Sequence, residues 1–152
     1  MTDDTPLRQF RIERIVLKDM SFETPMGQEI FKADWQPEYD VSMELGRRQL
    51  DEHSWEVVLT TTVTAKLGND VAFLIEAHQG GVINVEDLDK DRLQRTLEVD
   101  APQLLFPYLR EAVDSVAYKG GFPSVGLQTP DFEELHERSI SAQPPADHVR
   151  KD

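Results

Sequence analysis

Trp55, Val57, Leu59, Val63, Ala65 and Leu67 alternate with Glu56, Thr60, Thr62, Thr64 and Lys66. Successive side chains of a strand point to opposite faces, so this pattern suits a sheet with one face buried and the other exposed. Its β-branched content adds to the preference for extended chain. Tyr39, Val41, Met43 and Leu45 alternate with Asp40, Ser42 and Glu44, which predicts a second half-buried strand. Gly46 and the polar run to Ser54 read as the turn between these strands. Gly68-Asn69-Asp70 is a tight-turn signal. Val71 to Val85 then reads as the last strand, with Gly80-Gly81 as a bulge or bend.

An earlier strand is expected from Phe10 to Glu23, but its alternation is imperfect. Phe10 and Ile12 share one face, Ile15 and Leu17 the other, and Met20 and Phe22 return to the first. Period-two logic therefore predicts a bulge, or apolar contacts on both faces. Thr24 to Pro37 is a long connection, because Pro25 removes a ladder donor and fixes φ. Its length and its two large apolar residues, Phe31 and Trp35, mark it as a loop with a task.

After Val85 the period changes. Leu88, Leu93 and Leu97 give a weak helical signal. Asp100 reads as the cap of a stronger helix with Pro102 in its first turn. Leu104, Leu105, Tyr108, Leu109, Ala112, Val113, Val116 and Ala117 form a wide apolar stripe at helical spacing. A stripe that wide predicts more than one neighbour: the sheet beneath and a second subunit. Pro107 is early enough only to bend the helix, and Gly120-Gly121 ends it. Thr129 reads as the cap of a last helix with Pro130 at its start and Phe132, Leu135 and Ile140 facing inward. Four strands followed by helices make an α+β fold. The expected organisation is a flexible arm over 1–8, one domain over 9–142 and a flexible tail over 143–152.

The charge balance limits the partners. The 152 residues carry a formal net charge of −13, so nucleic acid and anionic lipid surfaces are disfavoured and a basic protein surface is favoured. The absence of cysteine excludes disulfides, thiolate nucleophiles and cysteine metal sites. Met1 to Gln9 is polar, which predicts neither a signal peptide nor a membrane-inserted segment, and a cytoplasmic location. His53, His78, His136 and His148 fall at no metal-ligand spacing. Asp87, Asp89, Asp91 and Glu98 match positions of a calcium loop, but Arg92 stands where the sharp turn needs glycine. No metal, no cofactor and no catalytic residue is expected, and an enzyme built on this sheet has no positive feature behind it.

Several stretches together resemble the SecB family of bacterial protein-export chaperones. They are Ile15-Val16-Leu17-Lys18-Asp19-Met20-Ser21-Phe22-Glu23, Asp34-Trp35-Gln36-Pro37-Glu38, Glu56-Val57-Val58-Leu59 and Val63-Thr64-Ala65-Lys66-Leu67-Gly68. Further along come Ala72-Phe73-Leu74-Ile75-Glu76, Gln79-Gly80-Gly81, Leu105-Phe106-Pro107-Tyr108-Leu109-Arg110-Glu111 and Gly121-Phe122-Pro123. The stretches occur in family order, from about Phe10 to about Ile140.

The resemblance implies a four-stranded antiparallel Greek-key sheet with C-terminal helices on one face. It implies a homotetramer, a dimer of dimers, that binds unfolded preproteins without ATP and delivers them to the SecA ATPase. The family's SecA-docking residues match at Asp19, Glu23, Leu74 and Glu76. The pattern supports this independently, since Leu17, Asp19, Ser21 and Glu23 alternate against Met20 and Phe22. Leu74, Glu76 and His78 likewise alternate against Phe73, Ile75 and Ala77. For the client groove, Trp35 matches a tryptophan of the family's crossover loop, and Phe31, Phe132 and Leu135 are its possible companions. The tail departs from the family: Arg150 and Lys151 offset its aspartates, which puts a second SecA contact in doubt. A SecB-like chaperone for a cytosolic or antitoxin client is the alternative reading.

Overall fold

A computed structural model describes residues 10–142; the expected arm over 1–8 and tail over 143–152 lie outside the described residues. Four strands form one antiparallel sheet: β1 (Phe10–Glu23), β2 (Glu38–Gln49), β3 (Ser54–Leu67) and β4 (Asp70–Val85). Their order is β1-β4-β3-β2. Strands β2, β3 and β4 follow as hairpins, and β1 lies beside β4 after a long crossover, which is the Greek-key arrangement. Helices α1 (Lys90–Arg95), α2 (Ala101–Lys119) and α3 (Phe132–Ala142) follow.

The expected bulge in β1 is present twice. The register with β4 shifts between Ile12 and Arg14 and again between Leu17 and Asp19. Each extra residue resets which face the strand presents. As a result Phe10, Ile12, Ile15, Met20 and Phe22 all pack against the core. Ile15 is therefore not on the opposite face from Phe10 and Ile12, as simple alternation suggests. Leu17 stands opposite Gln79, a core-side residue, and does not share the face of Asp19, Ser21 and Glu23.

Gly80-Gly81 is not a bulge: β4 runs through it in register with β3. Its role is close approach. A β-carbon on Gly81 would stand 2.8 Å from Leu105 Cδ2, so α2 seats directly on the sheet backbone there. Leu105, Phe106, Leu109, Val113 and Ala117 of α2 are fully buried, against Val57, Leu59, Val63, Phe73, Ile75 and Ile83 of the sheet. Each large apolar side chain so buried stabilises the fold by about 1.5–3 kcal/mol. Leu104 and Tyr108, in the same helical stripe, stay exposed on α2.

Other expectations shift. Strand β2 runs on through Gly46 to Gln49, so the turn before β3 is short. The crossover contains a 3-10 turn at Gly27–Lys32, with Ile30 buried. Asp100 does not begin a separate helix; it is itself helical, and the chain passes from α1 into α2 through a π turn, Thr96–Asp100. Pro102 supplies a reason, since in a regular helix its ring would meet the carbonyl of Glu98, and a wider turn relieves that clash. The true cap is Asp89, whose carboxylate accepts from Arg92 N. At α3 the cap is Asp131, which accepts from Glu134 N at 3.0 Å, not Thr129. Phe132 is buried as expected, but Leu135 and Ile140 are about half exposed.

Replacing Gly81 by alanine should cost about 1–3 kcal/mol, because the fully buried Leu105 side chain must shift within a packed core to make room. Replacing Gly46 by alanine, where an added β-carbon meets nothing within 4 Å, should change stability by less than about 0.5 kcal/mol. Urea denaturation of both variants checks this; a Gly81→Ala protein as stable as the parent would contradict the close-approach argument.

Candidate functional site: an acidic sheet face and an apolar groove

The sheet has two different surfaces. On β4, Phe73, Ile75 and Ala77 are buried beneath the helices, and Leu74, Glu76 and His78 turn the other way. The β1–β4 register sets Glu23 opposite Leu74, Ser21 opposite Glu76 and Asp19 opposite His78. Asp19, Glu23, Leu74 and Glu76 therefore meet on one outer face, on two adjacent strands. Leu74 is half-buried, and the three carboxylates are exposed. His78 is held between Glu76 (Nε2 to Oε2, 2.7 Å) and Thr60 (Nδ1 to Oγ1, 3.0 Å). A carboxylate only accepts, so Nε2 carries the proton there.

Lys18, at the second bulge of β1, crosses the same face. A β-carbon on Gly80 would stand 3.1 Å from its Cδ, and its Nζ donates to both carboxylate oxygens of Glu56 on β3 at 2.9 Å. Gly80 thus lets a side chain of β1 reach over β4 to β3. The Lys18 hydrogen bond is the main cause that holds the Glu56 carboxyl below the usual glutamate range, with Arg48 adding to it.

The groove lies at the opposite edge. Tyr39, Val41, Met43 and Leu45 of β2 point to the core side, but α2 does not reach that far, and Val41 is 48% exposed. One hollow of about 410 Å³ is lined by Tyr39, Val41, Met43, Val125, Leu127 and Pro130. A neighbouring one of about 370 Å³ is lined by Met43, Leu45, Leu59, Phe132, Leu135 and His136, among others. They share Met43 and Pro130, so they form one groove between β2 and the chain that leads into α3. Asp114 fixes that chain by accepting from Val125 N (2.9 Å) and Gly126 N (3.0 Å). Burial, and then the charge of Asp114, raise the Tyr39 hydroxyl above its ordinary pKa.

Trp35 and Phe31 are not in these hollows. They stack about Phe122, with ring centres 5.2 Å and 4.9 Å away. Trp35 also packs on Phe73 (6.1 Å), which touches Tyr39 (6.4 Å), so the aromatic cluster runs into the groove's upper end. Trp35 is half-buried and Phe31 exposed. Phe132 forms part of the groove floor and is only 3% exposed, whereas Leu135 stands on the rim. The four groove candidates therefore fall into two pairs at its two ends. Sequence reasoning missed the residues between them, the β2 row and Val125, Leu127 and Pro130. The available signal was that one long helix cannot cover a four-stranded sheet, which leaves an edge strand's apolar face open.

The calcium-loop pattern is dispersed: Asp89 caps α1, and Glu98 turns away to His136. Among the described residues, no group of three or more His, Asp and Glu side chains is placed to hold a metal ion, and no helix is long and apolar enough to cross a membrane.

Comparisons with known proteins agree with this architecture. The family model for SecB, preprotein translocase subunit SecB, matches residues 3–143. The protein-export protein SecB of Hahella chejuensis is 39% identical over 134 residues, which span 88% of this chain and 84% of that one. Its counterpart in Pseudomonas aeruginosa is 40% identical, over 88% and 82% of the two chains. A Mycobacterium tuberculosis SecB-like chaperone, solved with a ChAD peptide from the HigA1 antitoxin, superposes with a TM-score of 0.67. That match covers 80% of this chain and 91% of that one at 15% identity, and it bears on the fold alone. The matched family is one of protein-export chaperones rather than of enzymes. The chain belongs to the SecB family.

The Lys18–Glu56 bridge gives a pH test. A carboxyl held below its unfolded pKa contributes stability at pH values above that unfolded pKa, and loses it as pH falls through the folded one. Lys18→Met should lower stability at neutral pH by no more than about 1 kcal/mol, and its deficit should shrink to nothing in acid. Denaturant midpoints measured across pH check this; a deficit that stays constant into acid would remove the bridge as its cause.

Proposed function

We propose that this protein is an export holdase: it captures unfolded preproteins in the β2 groove without ATP, keeps them competent for translocation and hands them to the SecA ATPase. The observation that carries the reading is the groove itself. An edge strand with a row of apolar side chains left half-covered offers extended chains a shallow apolar surface. Such a surface binds each segment weakly, so several copies acting on one client would add avidity without new contacts. A homotetramer, a dimer of dimers, supplies those copies. The exposed Leu104 and Tyr108 on α2, beside the free edge of β1, support such assembly.

SecA docking is assigned to Asp19, Glu23, Leu74 and Glu76. A half-buried leucine ringed by carboxylates suits a partner surface with an apolar centre and basic rim. Client binding is assigned to Trp35, Phe31, Phe132 and Leu135, with the β2 row between them. The expected location is the cytoplasm, where preproteins wait for the translocase.

Three measurements test the proposal. Native mass measurement should return a tetramer, and a stable monomer would count against the avidity mechanism. The purified protein should suppress aggregation of an unfolded client at stoichiometric levels with no nucleotide present; unchanged light scattering would end the holdase reading. Glu76→Lys should weaken SecA binding by about tenfold or more, since it reverses one of the charges beside Leu74 on the docking face. Unchanged SecA affinity would instead favour a cytosolic or antitoxin client.

A further inference from the structure

The groove ends in a polar knot that neither wall needs for its own secondary structure. The β2 row continues past Leu45 to Arg47, which faces the same side because it is two residues on. Arg47 lies over the Trp55 ring at 5.9 Å, and its guanidinium forms an ion pair with Glu98 Oε2 at 3.5 Å. Glu98 Oε1 accepts from His136 Nδ1 of α3 at 2.9 Å, and Oε2 accepts from Gln94 Nε2 at 3.2 Å. The His136 side chain is 8% exposed and that of Glu98 17%, and both, with Arg47, line the lower hollow. One carboxylate thus holds a cation of the β2 wall and an imidazole of the α3 wall.

The rest of α3 is loosely held. Phe132 is its one deeply buried apolar side chain among the described residues, and Leu135 and Ile140 are about half exposed. Among the described residues a further tie to the body is Arg95, which donates from Nη1 to Glu133 Oε1 at 2.8 Å and is anchored on α1, away from β2. Glu98 itself sits in the π turn before Pro102. A turn of that kind re-aims the side chains it carries relative to those of a regular helix.

We propose that Glu98 is a positioning residue that bridges Arg47 and His136 and so sets the width of the groove between β2 and α3. The proposal rests on the reading of that groove as the client site. A half-buried carboxylate that accepts hydrogen bonds from Gln94 and His136 and pairs with the Arg47 charge keeps all its partners only when both walls are in place, so it favours that spacing. Losing it frees α3 to move away from β2 while Phe132 and the Arg95–Glu133 pair keep the helix on the molecule.

The test uses the full chain. In Glu98→Ala, amides of α3 should exchange with solvent faster by about tenfold, while those of β3 and β4 keep their rates. Affinity for an unfolded model client, reduced carboxymethylated α-lactalbumin, should change by at least about threefold. Glu98→Gln, which keeps the volume, serves if the alanine variant does not fold, with the same expected direction. Arg47→Met and His136→Gln should be non-additive in client affinity when Glu98 is present and additive in the Glu98→Ala background. A merely structural role would not give that coupling. Additive effects in both backgrounds, or unchanged α3 exchange, would overturn the bridge. Faster α3 exchange and coupled exchange rates with client affinity unmoved would leave the bridge standing and overturn the groove reading beneath it.

Discussion

Leu105 Cδ2 lies only 2.8 Å from where a β-carbon on Gly81 would stand, and the rest of the molecule is arranged around that contact. Because α2 lies this close to β4, its buried side chains cover the centre of the sheet and the core-facing side of β1. A helix that low cannot also extend over the far edge. Strand β2 is therefore left with its apolar row only partly covered, and the chain between α2 and α3 has to fold back beside it. The groove is thus a consequence of how tightly the first helix–sheet layer closes.

The two adjacent glycines serve opposite faces. Gly81 admits α2 on the inner side, and Gly80 admits the Lys18 side chain on the outer side. Their neighbours on β1 are the two bulges, which bring Phe10, Ile12, Ile15, Met20 and Phe22 onto the core side while Asp19 and Glu23 remain outward. A chain with a net charge of −13 could carry carboxylates anywhere on its surface. Here the bulge before Asp19 fixes the phase that sets Asp19 and Glu23 on the same outer face as Leu74 and Glu76.

The groove and the acidic face lie on opposite sides of one sheet and are built by different means. The face is a product of strand register, so it is rigid. The groove is bounded on one side by β2 and on the other by a helix held through Phe132 and polar ties, so its width depends on side-chain contacts between distant segments.

Much of this was legible in the residues. The period-two runs fix β2, β3 and β4, and the stripe from Leu105 to Ala117 fixes α2, because these signals come from neighbours a few positions apart. The alternation of Leu74 and Glu76 against Phe73 and Ile75 was enough to put them on an outward face. The sequence did not reveal that Gly80-Gly81 is a place of close approach rather than a bend, that Leu17 is out of phase with Asp19, or that Asp100 continues a helix. Nor did it reveal the groove's central residues or the Arg47–Glu98–His136 bridge. The physical reason is the same in each case: these features depend on which distant segments come together. Glu98 and His136 stand 38 residues apart, and no local period records their meeting; only the packing of α2 on the sheet brings their segments within reach.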